Sequence, residues 1–328
     1  MHVKKGLRTK MKVLLAAIEG EAYFDSLNDL AIPGLEMVRT SSPDEVEREI
    51  VDAEVIYGFP GAAALEKAAE LKWIQSPGAG VDWVTRIPRV MESDWIVTNT
   101  RGAHGPSIAE HVFALLLSFT RNMPRSLDWQ REKYWGRSEG YRSLHEIKDS
   151  TMGIVGFGQI GRAIAKRADA FEMNVLAVDA FPSDGKPYVD EVWPTSRLPE
   201  LLERSDVVVI AVPYTAETHH LIDEPAIAMM RPGSYLIAIS RGGIVEESAL
   251  VDALRSGHLA GAGLDVAESE PPAPDSPLWD APNLLLTPHC AGASGPKEKR
   301  CLDIFRNNLI RYANGESLIN VVDKQRGY

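Results

Sequence analysis

Three glycines at G-x-G-x-x-G spacing, Gly156, Gly158 and Gly161 in "MGIVGFGQIGRAIAKRADAF", lie between an apolar run and an amphipathic one. Each answers a steric need at a strand-to-helix turn: the first allows the tight turn, the second lets backbone approach a pyrophosphate, and the third lets the helix pack on its strand. A phosphate there meets unpaired N–H groups and the positive end of the helix dipole. The spacing alone also fits an ordinary glycine turn. What separates the two readings is Asp179, which closes the next apolar run, "NVLAVD". An acid about 20 residues on can accept both hydroxyls of an adenosine ribose and repel a 2′-phosphate. Strand, glycines, helix and acid together predict a dinucleotide-binding unit that takes NAD in preference to its phosphorylated form. Ala180 and Phe181 supply no cation to offset the repulsion.

That unit belongs to a longer alternation. Before it, "MKVLLAAI", "EVIYGF", "KWIQSP" and "WIVTNT" read as strands, with helices at "SPDEVEREIVDA", opened by Ser42, and "AALEKAAEL". A long helical pattern, "PSIAEHVFALLLSFTRNMPRSLDWQREKYW", follows and is broken at Pro124. From Thr151 short apolar runs recur: "MGIVGFG", "NVLAVD", "DVVVIAVP", "SYLIAIS", "GAGLDV" and "NLLLTPH". Runs of this kind fit parallel strands buried on both faces. The chain then closes with one amphipathic helix, "KEKRCLDIFRNNLIRYANGE", stopped by Gly315. A chain of 328 residues is long for one core, so the expected fold is α/β in two domains, with a boundary near "RGAHGP".

Composition removes several classes of function. A net charge of -11 argues against nucleic acid. The runs Val13–Ile18 and Val112–Phe119 are too short to span a bilayer. Two cysteines, Cys290 and Cys301, offer neither a disulfide framework nor a zinc site, and no metal is expected. The expected setting is cytoplasmic, with no membrane partner.

Ligands of open parallel sheets bind beyond the carboxyl ends of the strands, and three such ends carry ionisable residues. Arg241 follows "SYLIAIS", Glu268 and Glu270 follow "GAGLD", and His289 follows "NLLLTP". Each has an ordinary reading as a loop residue. Together they supply what a 2-oxo acid requires. A guanidinium grips the carboxylate with two prongs and polarises the adjacent carbonyl. An imidazolium protonates the oxygen as hydride reaches carbon. A carboxylate against that imidazole orients it and favours its charged form. Of the other seven histidines, His2 is in the tail, His219 and His220 read as a helix start or surface pair, and His145 and His258 read as loop residues. His111 lies in a helical pattern, and His104, at the domain boundary, is the one serious rival to His289.

With these residues in view, the chain resembles the D-isomer-specific 2-hydroxyacid dehydrogenases. The matching stretches run in family order over roughly residues 50–295: "QSPGAGVDWV", "IAEHVFALLLSFTRN", "VGFGQIGRAIAKRADAFEMNVLAVD", "LLERSDVVVIAVPYTAET", "LIAISRGGIVEESAL", "GAGLDVAESEPP" and "LLLTPHCAGAS". The resemblance implies a Rossmann domain inserted in a flavodoxin-like substrate domain. Residues 1–104 begin the substrate domain, 105–292 form the NAD-binding domain, and 293–328 return to the first. It makes Arg241 the substrate-binding arginine and Glu270 the acid paired with His289, and leaves Glu268 without a role. It places NAD against Gly156, Gly158, Gln159, Ile160, Gly161, Asp179, Val212, Pro213, Thr218, Ile239, Ser240, Arg241, Asp265, His289, Ala291 and Gly292. The substrate meets Arg241, His289 and the loop Gly78–Ala79–Gly80–Val81. A homodimer is implied, supported by the apolar pattern of "HVFALLLSFTRNM".

Departures narrow the expectation. Phosphite-oxidising members carry a lysine where Ala79 stands, and formate-oxidising members a glutamine where Glu270 stands. The ending "NGESLINVVDKQRGY" leaves no room for the regulatory domain of many phosphoglycerate dehydrogenases. Trp135 either packs internally or approaches a partner's site, as a tryptophan does in some glyoxylate/hydroxypyruvate reductases. The implied activity is NAD(H)-dependent interconversion of a 2-oxo acid and a D-2-hydroxy acid. Alternatives are a glyoxylate/hydroxypyruvate reductase, a phosphoglycerate dehydrogenase-like member, or a non-enzymatic NAD(H)-sensing corepressor, since fold does not fix function.

Overall fold

The computed structural model describes residues 10–16 and 21–326. His2 and the last residues of the first apolar run, Ala17 and Ile18, lie outside them. The chain divides into two compact units, residues 1–103 with 294–328, and residues 104–293.

The first unit contains the strands β1 (Met11–Ala16), β2 (Leu35–Thr40), β3 (Val55–Tyr57), β4 (Trp73–Gln75) and β5 (Ile96–Thr98). Its helices are α1 (Pro43–Glu49), α2 (Ala62–Lys67), α3 (Asp82–Thr85) and α4 (Pro88–Glu92), with Gly295–Asn314 near the C-terminus. The strands pair in parallel in the order β2-β1-β3-β4-β5, the flavodoxin-like arrangement. Side chains alternate across the sheet. Leu14, Ile56, Ile74 and Val97 pack with Leu65 and Val90 on one face. Met11, Val13, Leu15, Tyr57 and Trp73 meet Phe305 and Leu309 of the C-terminal helix on the other. Asn308 of that helix is fully buried and donates to Gln75 Oε1 at 3.2 Å and to the Ile319 carbonyl at 3.1 Å. Ser42 caps α1 by accepting from the Glu45 N–H, as its sequence position predicts.

The second unit holds β6 (Thr151–Val155), β7 (Asn174–Asp179), β8 (Val192–Pro194), β9 (Val207–Ile210), β10 (Ser234–Ala238), β11 (Leu259–Leu264) and β12 (Leu284–Leu286). Its helices are α5 (Gly105–Thr120), α6 (Met123–Glu132), α7 (Arg137–Ser143), α8 (Gln159–Ala170), α9 (Leu198–Arg204), α10 (Glu224–Met229) and α11 (Glu247–Ser256). The order β12-β11-β10-β9-β6-β7-β8 is all parallel and reverses direction at β6, the doubly wound Rossmann pattern. One face packs on α5 and α8 through Met152, Ile154, Val209 and Ile237. The other packs on α9, α10 and α11 through Val208, Ile210, Leu236 and Leu264. Each such side chain contributes about 1.5–3 kcal/mol on burial.

Three expectations need correction. The long helical pattern is not broken at Pro124. The break is at Asn122, in the left-handed region (φ 51°), and Pro124 lies in the first turn of α6. A first turn tolerates proline because its missing N–H would have no helical partner there. The pattern also stops at Glu132, short of Trp135. Finally, the run "HVFALLLSFTRNM", taken as support for a homodimer, is mostly internal: Val112, Phe113, Leu115 and Leu116 are buried in their own unit, and Met123 is the large apolar residue of the run left exposed. The exposed large apolar residues come later, at Met123, Leu127, Tyr134, Trp135 (88% exposed) and Leu144. No described helix is long and apolar enough to cross a membrane.

Candidate active site

The turn between β6 and α8 has the steric character that a dinucleotide cradle requires. Gly156 adopts φ 98°, and a Cβ on it would lie 2.8 Å from the Ala211 carbonyl carbon. A Cβ on Gly161 would lie 2.3 Å from the Gly156 carbonyl oxygen, so α8 rests directly on the turn. A Cβ on Gly158 would meet nothing within 4 Å, and Gly158 caps α8 without a side chain. Open space therefore faces the first N–H groups of the helix, at Gln159 and Ile160, which suits a pyrophosphate. Asp179 ends β7 with Oδ2 accepting the Phe157 N–H at 2.7 Å and Oδ1 accepting the Phe181 N–H at 2.8 Å. Those bonds fix the carboxylate while each oxygen keeps a lone pair for a ribose hydroxyl.

Several other residues expected around a dinucleotide follow strands at the same sheet edge. Val212 and Pro213 follow β9, and Thr218 closes that loop by donating to the Pro213 carbonyl at 2.7 Å. Ile239 and Ser240 follow β10. The buried Ser240 hydroxyl has no hydrogen-bond partner in the protein, an orphan that a ligand can satisfy. These features fit NAD.

His289 Nδ1 lies 2.7 Å from Glu270 Oε2, and Glu270 Oε1 accepts the Ala267 N–H at 3.2 Å. An ionised carboxylate only accepts, so Nδ1 carries hydrogen and Nε2 is the nitrogen left for chemistry. Both side chains are about two-fifths exposed. The loop of Arg241 is locked against that of Glu270: a Cβ on Gly242 would fall 1.8 Å from the Ala267 carbonyl oxygen, an approach open only to glycine. Arg241 Nη1 donates to the Ser240 carbonyl at 2.7 Å. The structure thus brings Glu270 onto His289 and sets the Arg241 loop against the Glu270 loop.

Beneath His289 lies a residue expected only as a cofactor contact. Asp265, 1% exposed, accepts the Thr287 hydroxyl at 2.6 Å and the Cys290 N–H at 2.9 Å on Oδ1, and the Ala291 N–H at 2.8 Å on Oδ2. His289 sits inside this clasp at φ 51°, a left-handed backbone that costs a residue other than glycine about 1–3 kcal/mol. His111 Nε2 is 2.9 Å from Thr287 Oγ1. Because that hydroxyl gives its hydrogen to Asp265, His111 must donate through Nε2. The signal for His111 was in the sequence: it lies three residues after Ile108 and four before Leu115, on the buried stripe of α5, where a polar side chain needs a partner.

The other histidines find separate places. His104 precedes α5 and packs its ring on Gly292, whose Cβ position is 3.2 Å from His104 Nδ1. Ser107 donates to the Gly292 carbonyl at 3.2 Å. His219 and His220 stack at 4.0 Å, and His220 Nε2 lies 3.1 Å from Glu268 Oε1. Glu268, expected to have no role, therefore holds His220. Its N–H also reaches Glu247 at 2.6 Å, and burial raises that carboxyl above its ordinary pKa. The Cys290 thiol is pushed up by desolvation and by Asp265, which disfavours a thiolate nucleophile beside His289.

In the first unit, Gly78–Val81 follow β4. Thr100 Oγ1 donates to the Pro77 carbonyl at 2.8 Å, the Thr100 N–H to the Gly78 carbonyl at 3.2 Å, and Asn99 Nδ2 to the Ala79 carbonyl at 2.8 Å. The loop is held by its carbonyls and by the Gly78 N–H, which donates to Ser76 Oγ at 3.3 Å.

The family profile described as D-isomer specific 2-hydroxyacid dehydrogenase, NAD binding domain, matches residues 113–291. The chain belongs to this family. It is 35% identical over 331 residues to a D-3-phosphoglycerate dehydrogenase of Archaeoglobus fulgidus, covering 95% of this chain and 59% of that protein. It is 36% identical over 271 residues to a glyoxylate reductase of Thermococcus litoralis, covering 79% of each. A crystal structure of a D-isomer specific 2-hydroxyacid dehydrogenase family protein from Aeromonas salmonicida superposes with a TM-score of 0.85 at 34% identity, covering 96% of this chain and 99% of that one. Against the Archaeoglobus protein the chain spans about three-fifths of the relative's length. Within this NAD-dependent oxidoreductase family, the second unit is the NAD-binding domain.

The Asp265 clasp yields a direct expectation. Thr287→Val keeps the shape but removes the hydroxyl from a buried carboxylate, and should destabilise the chain by about 1–3 kcal/mol in urea unfolding. Thr287→Ser should recover most of the loss.

Proposed function

We propose that the chain interconverts a small 2-oxo acid and its D-2-hydroxy acid with NAD(H). The observation that carries the proposal is the 2.7 Å contact of His289 Nδ1 with Glu270, on the sheet edge that also carries Arg241 and the glycine turn. The bound nicotinamide supplies hydride to C2 in reduction and accepts it in oxidation. Arg241 binds the substrate carboxylate and polarises the neighbouring carbonyl. The N–H groups of the loop Gly78–Ala79–Gly80–Val81 receive that carboxylate as well. In reduction His289 Nε2 gives its proton to the carbonyl oxygen, and in oxidation neutral Nε2 withdraws the hydroxyl proton. Glu270 holds the ring in place and offsets its positive charge. Asp179 binds the adenosine ribose and favours NAD(H) over NADP(H). Product chirality follows from family membership.

Substrate binding belongs in this reading to the unit of residues 1–104 and 293–328, and dinucleotide binding to residues 105–292. The relatives' names, glyoxylate reductase and D-3-phosphoglycerate dehydrogenase, point to short 2-oxo acids such as glyoxylate or hydroxypyruvate. A cytoplasmic setting is consistent with two free cysteines, one of them buried. A homodimer would cover the exposed apolar residues of α6 and the segment after it, Trp135 above all.

NADH consumption with glyoxylate, hydroxypyruvate, pyruvate and phenylpyruvate tests the reaction, and at least one should turn over. With that substrate, His289→Ala should lower kcat about 10²–10⁴-fold while sparing KM. Arg241→Ala should damage KM as well as kcat. Near-normal kcat in His289→Ala, with hydride transfer rate-limiting, would move the role to His104. For the dimer, light scattering at micromolar concentration should give about twice the chain mass of 36.0 kDa, with Trp135→Ser shifting it toward one chain. A wild-type protein of single-chain mass would contradict the dimer.

A further inference from the structure

The end of β7 has a cation beside it that the residues following Asp179 do not supply. Arg162 comes immediately after the last fingerprint glycine, on α8. Its Nη2 donates to Ser183 Oγ at 2.8 Å and to the Asp184 carbonyl, and its guanidinium lies 4.8 Å from the centroid of the Phe157 ring. Phe157 is the residue whose N–H Asp179 accepts, and the N–H of Phe181, two residues before Ser183, meets the other Asp179 oxygen. Asp179 and Arg162 are therefore fastened to the same two segments, Phe157 and residues 181–184. Ala180 and Phe181 supply no cation, and Arg162 brings one from the helix rather than from the loop.

The geometry points to a phosphate-accepting subsite made by Arg162 and Ser183 beside the ribose-binding Asp179, able to take the 2′-phosphate of NADP(H), with Asp179 alone setting the bias toward NAD(H). This inference rests on the reading of the second unit as a dinucleotide site. Among the described residues, both protein hydrogen bonds of the Arg162 guanidinium leave from Nη2. Nε and Nη1 keep their donors for an incoming oxygen, in the fork that suits phosphate. Ser183 Oγ accepts from Arg162, so its own hydrogen is available to a second phosphate oxygen. Among the described residues the guanidinium makes no ion pair with the neighbouring Asp184 carboxylate, whose Oδ1 accepts the Lys186 N–H at 3.0 Å. The opposing charge is that of Asp179, and its two oxygens each already take a backbone N–H, which tempers its repulsion of a 2′-phosphate. The alternative is that Arg162 only staples the 181–184 loop to α8. Arg162→Gln removes the charge and the staple together, and 5′-AMP, which lacks the 2′-phosphate, separates the two roles: loss of the staple alone disturbs both nucleotides, loss of the subsite only 2′,5′-ADP.

Binding of 2′,5′-ADP and of 5′-AMP, measured by calorimetry without substrate, tests the subsite. In the wild type, Arg162→Gln should weaken 2′,5′-ADP while leaving 5′-AMP unchanged. Asp179→Asn should raise the preference for 2′,5′-ADP over 5′-AMP by about tenfold or more. Adding Arg162→Gln to Asp179→Asn should abolish that gain, and Ser183→Ala should reduce it. If Asp179→Asn does not fold, the comparison of wild type with Arg162→Gln decides alone. The inference falls if Arg162→Gln weakens both nucleotides equally, if the Asp179→Asn gain survives in the double variant, or if 2′,5′-ADP binds to none of the proteins while 5′-AMP binds. Absence of 5′-AMP binding as well would overturn the dinucleotide reading itself.

Discussion

Burying an ionised carboxylate is costly unless hydrogen-bond donors replace its lost water. Asp265 meets that condition with three donors drawn from one short turn: the Thr287 hydroxyl and the N–H groups of Cys290 and Ala291. The same bonds tie the end of β11 to the turn after β12, with His289 between the attachment points. His289 is held in a left-handed backbone that it would not choose by itself. From there its ring reaches Glu270, which belongs to the loop leaving β11. In the proposed reaction Asp265 would thus position His289, and His111 extends the clasp into α5.

The rest of the site follows from parallel topology. Every strand of the second unit's sheet points the same way, so all its carboxyl ends share one edge. The glycine turn, Asp179, Ser240, Arg241, Asp265 and His289 are scattered over more than a hundred residues of sequence, yet each ends a strand or begins within three residues of a strand's end. Close backbone approach sharpens this coarse placement. Gly161 seats α8 on the glycine turn, and Gly242 seats the Arg241 loop on the Glu270 loop. A side chain at either position would separate elements that the chemistry needs together.

Much of this was legible in the residues, for stated physical reasons. Strands buried on both faces, such as "VVVI" and "LIA", appear in the sequence as unbroken apolar runs. The edge strand β2, "LEMVRT", is not legible in the sequence, because half-exposed alternation with charges looks like a loop. Three-residue β8 and the one-turn helices α3 and α4 are too short for any period to show. At the site, the strand ends offer Arg241, two acids, Glu268 and Glu270, and His289, and only the family resemblance singles out Glu270, which the structure sets 2.7 Å from His289. The clasp around Asp265 and the approach of Arg162 to Ser183 are not legible in the sequence. Both depend on contacts between segments distant in sequence, and spacing along the chain carries no record of them. The apolar pattern of α5 misled in a different way: it announces burial without saying what does the burying, and the answer is the unit's own core.

The central claim is that one imidazole, His289, carries the proton in both directions of a hydride transfer. Single-turnover rates measured in each direction across pH test it most directly. Reduction needs the charged ring and oxidation the neutral one, so the account predicts that reduction slows and oxidation quickens as pH rises. Both dependences should flatten in His289→Gln. Rates that move together with pH in the two directions, or opposing profiles that persist unchanged in His289→Gln, would contradict it.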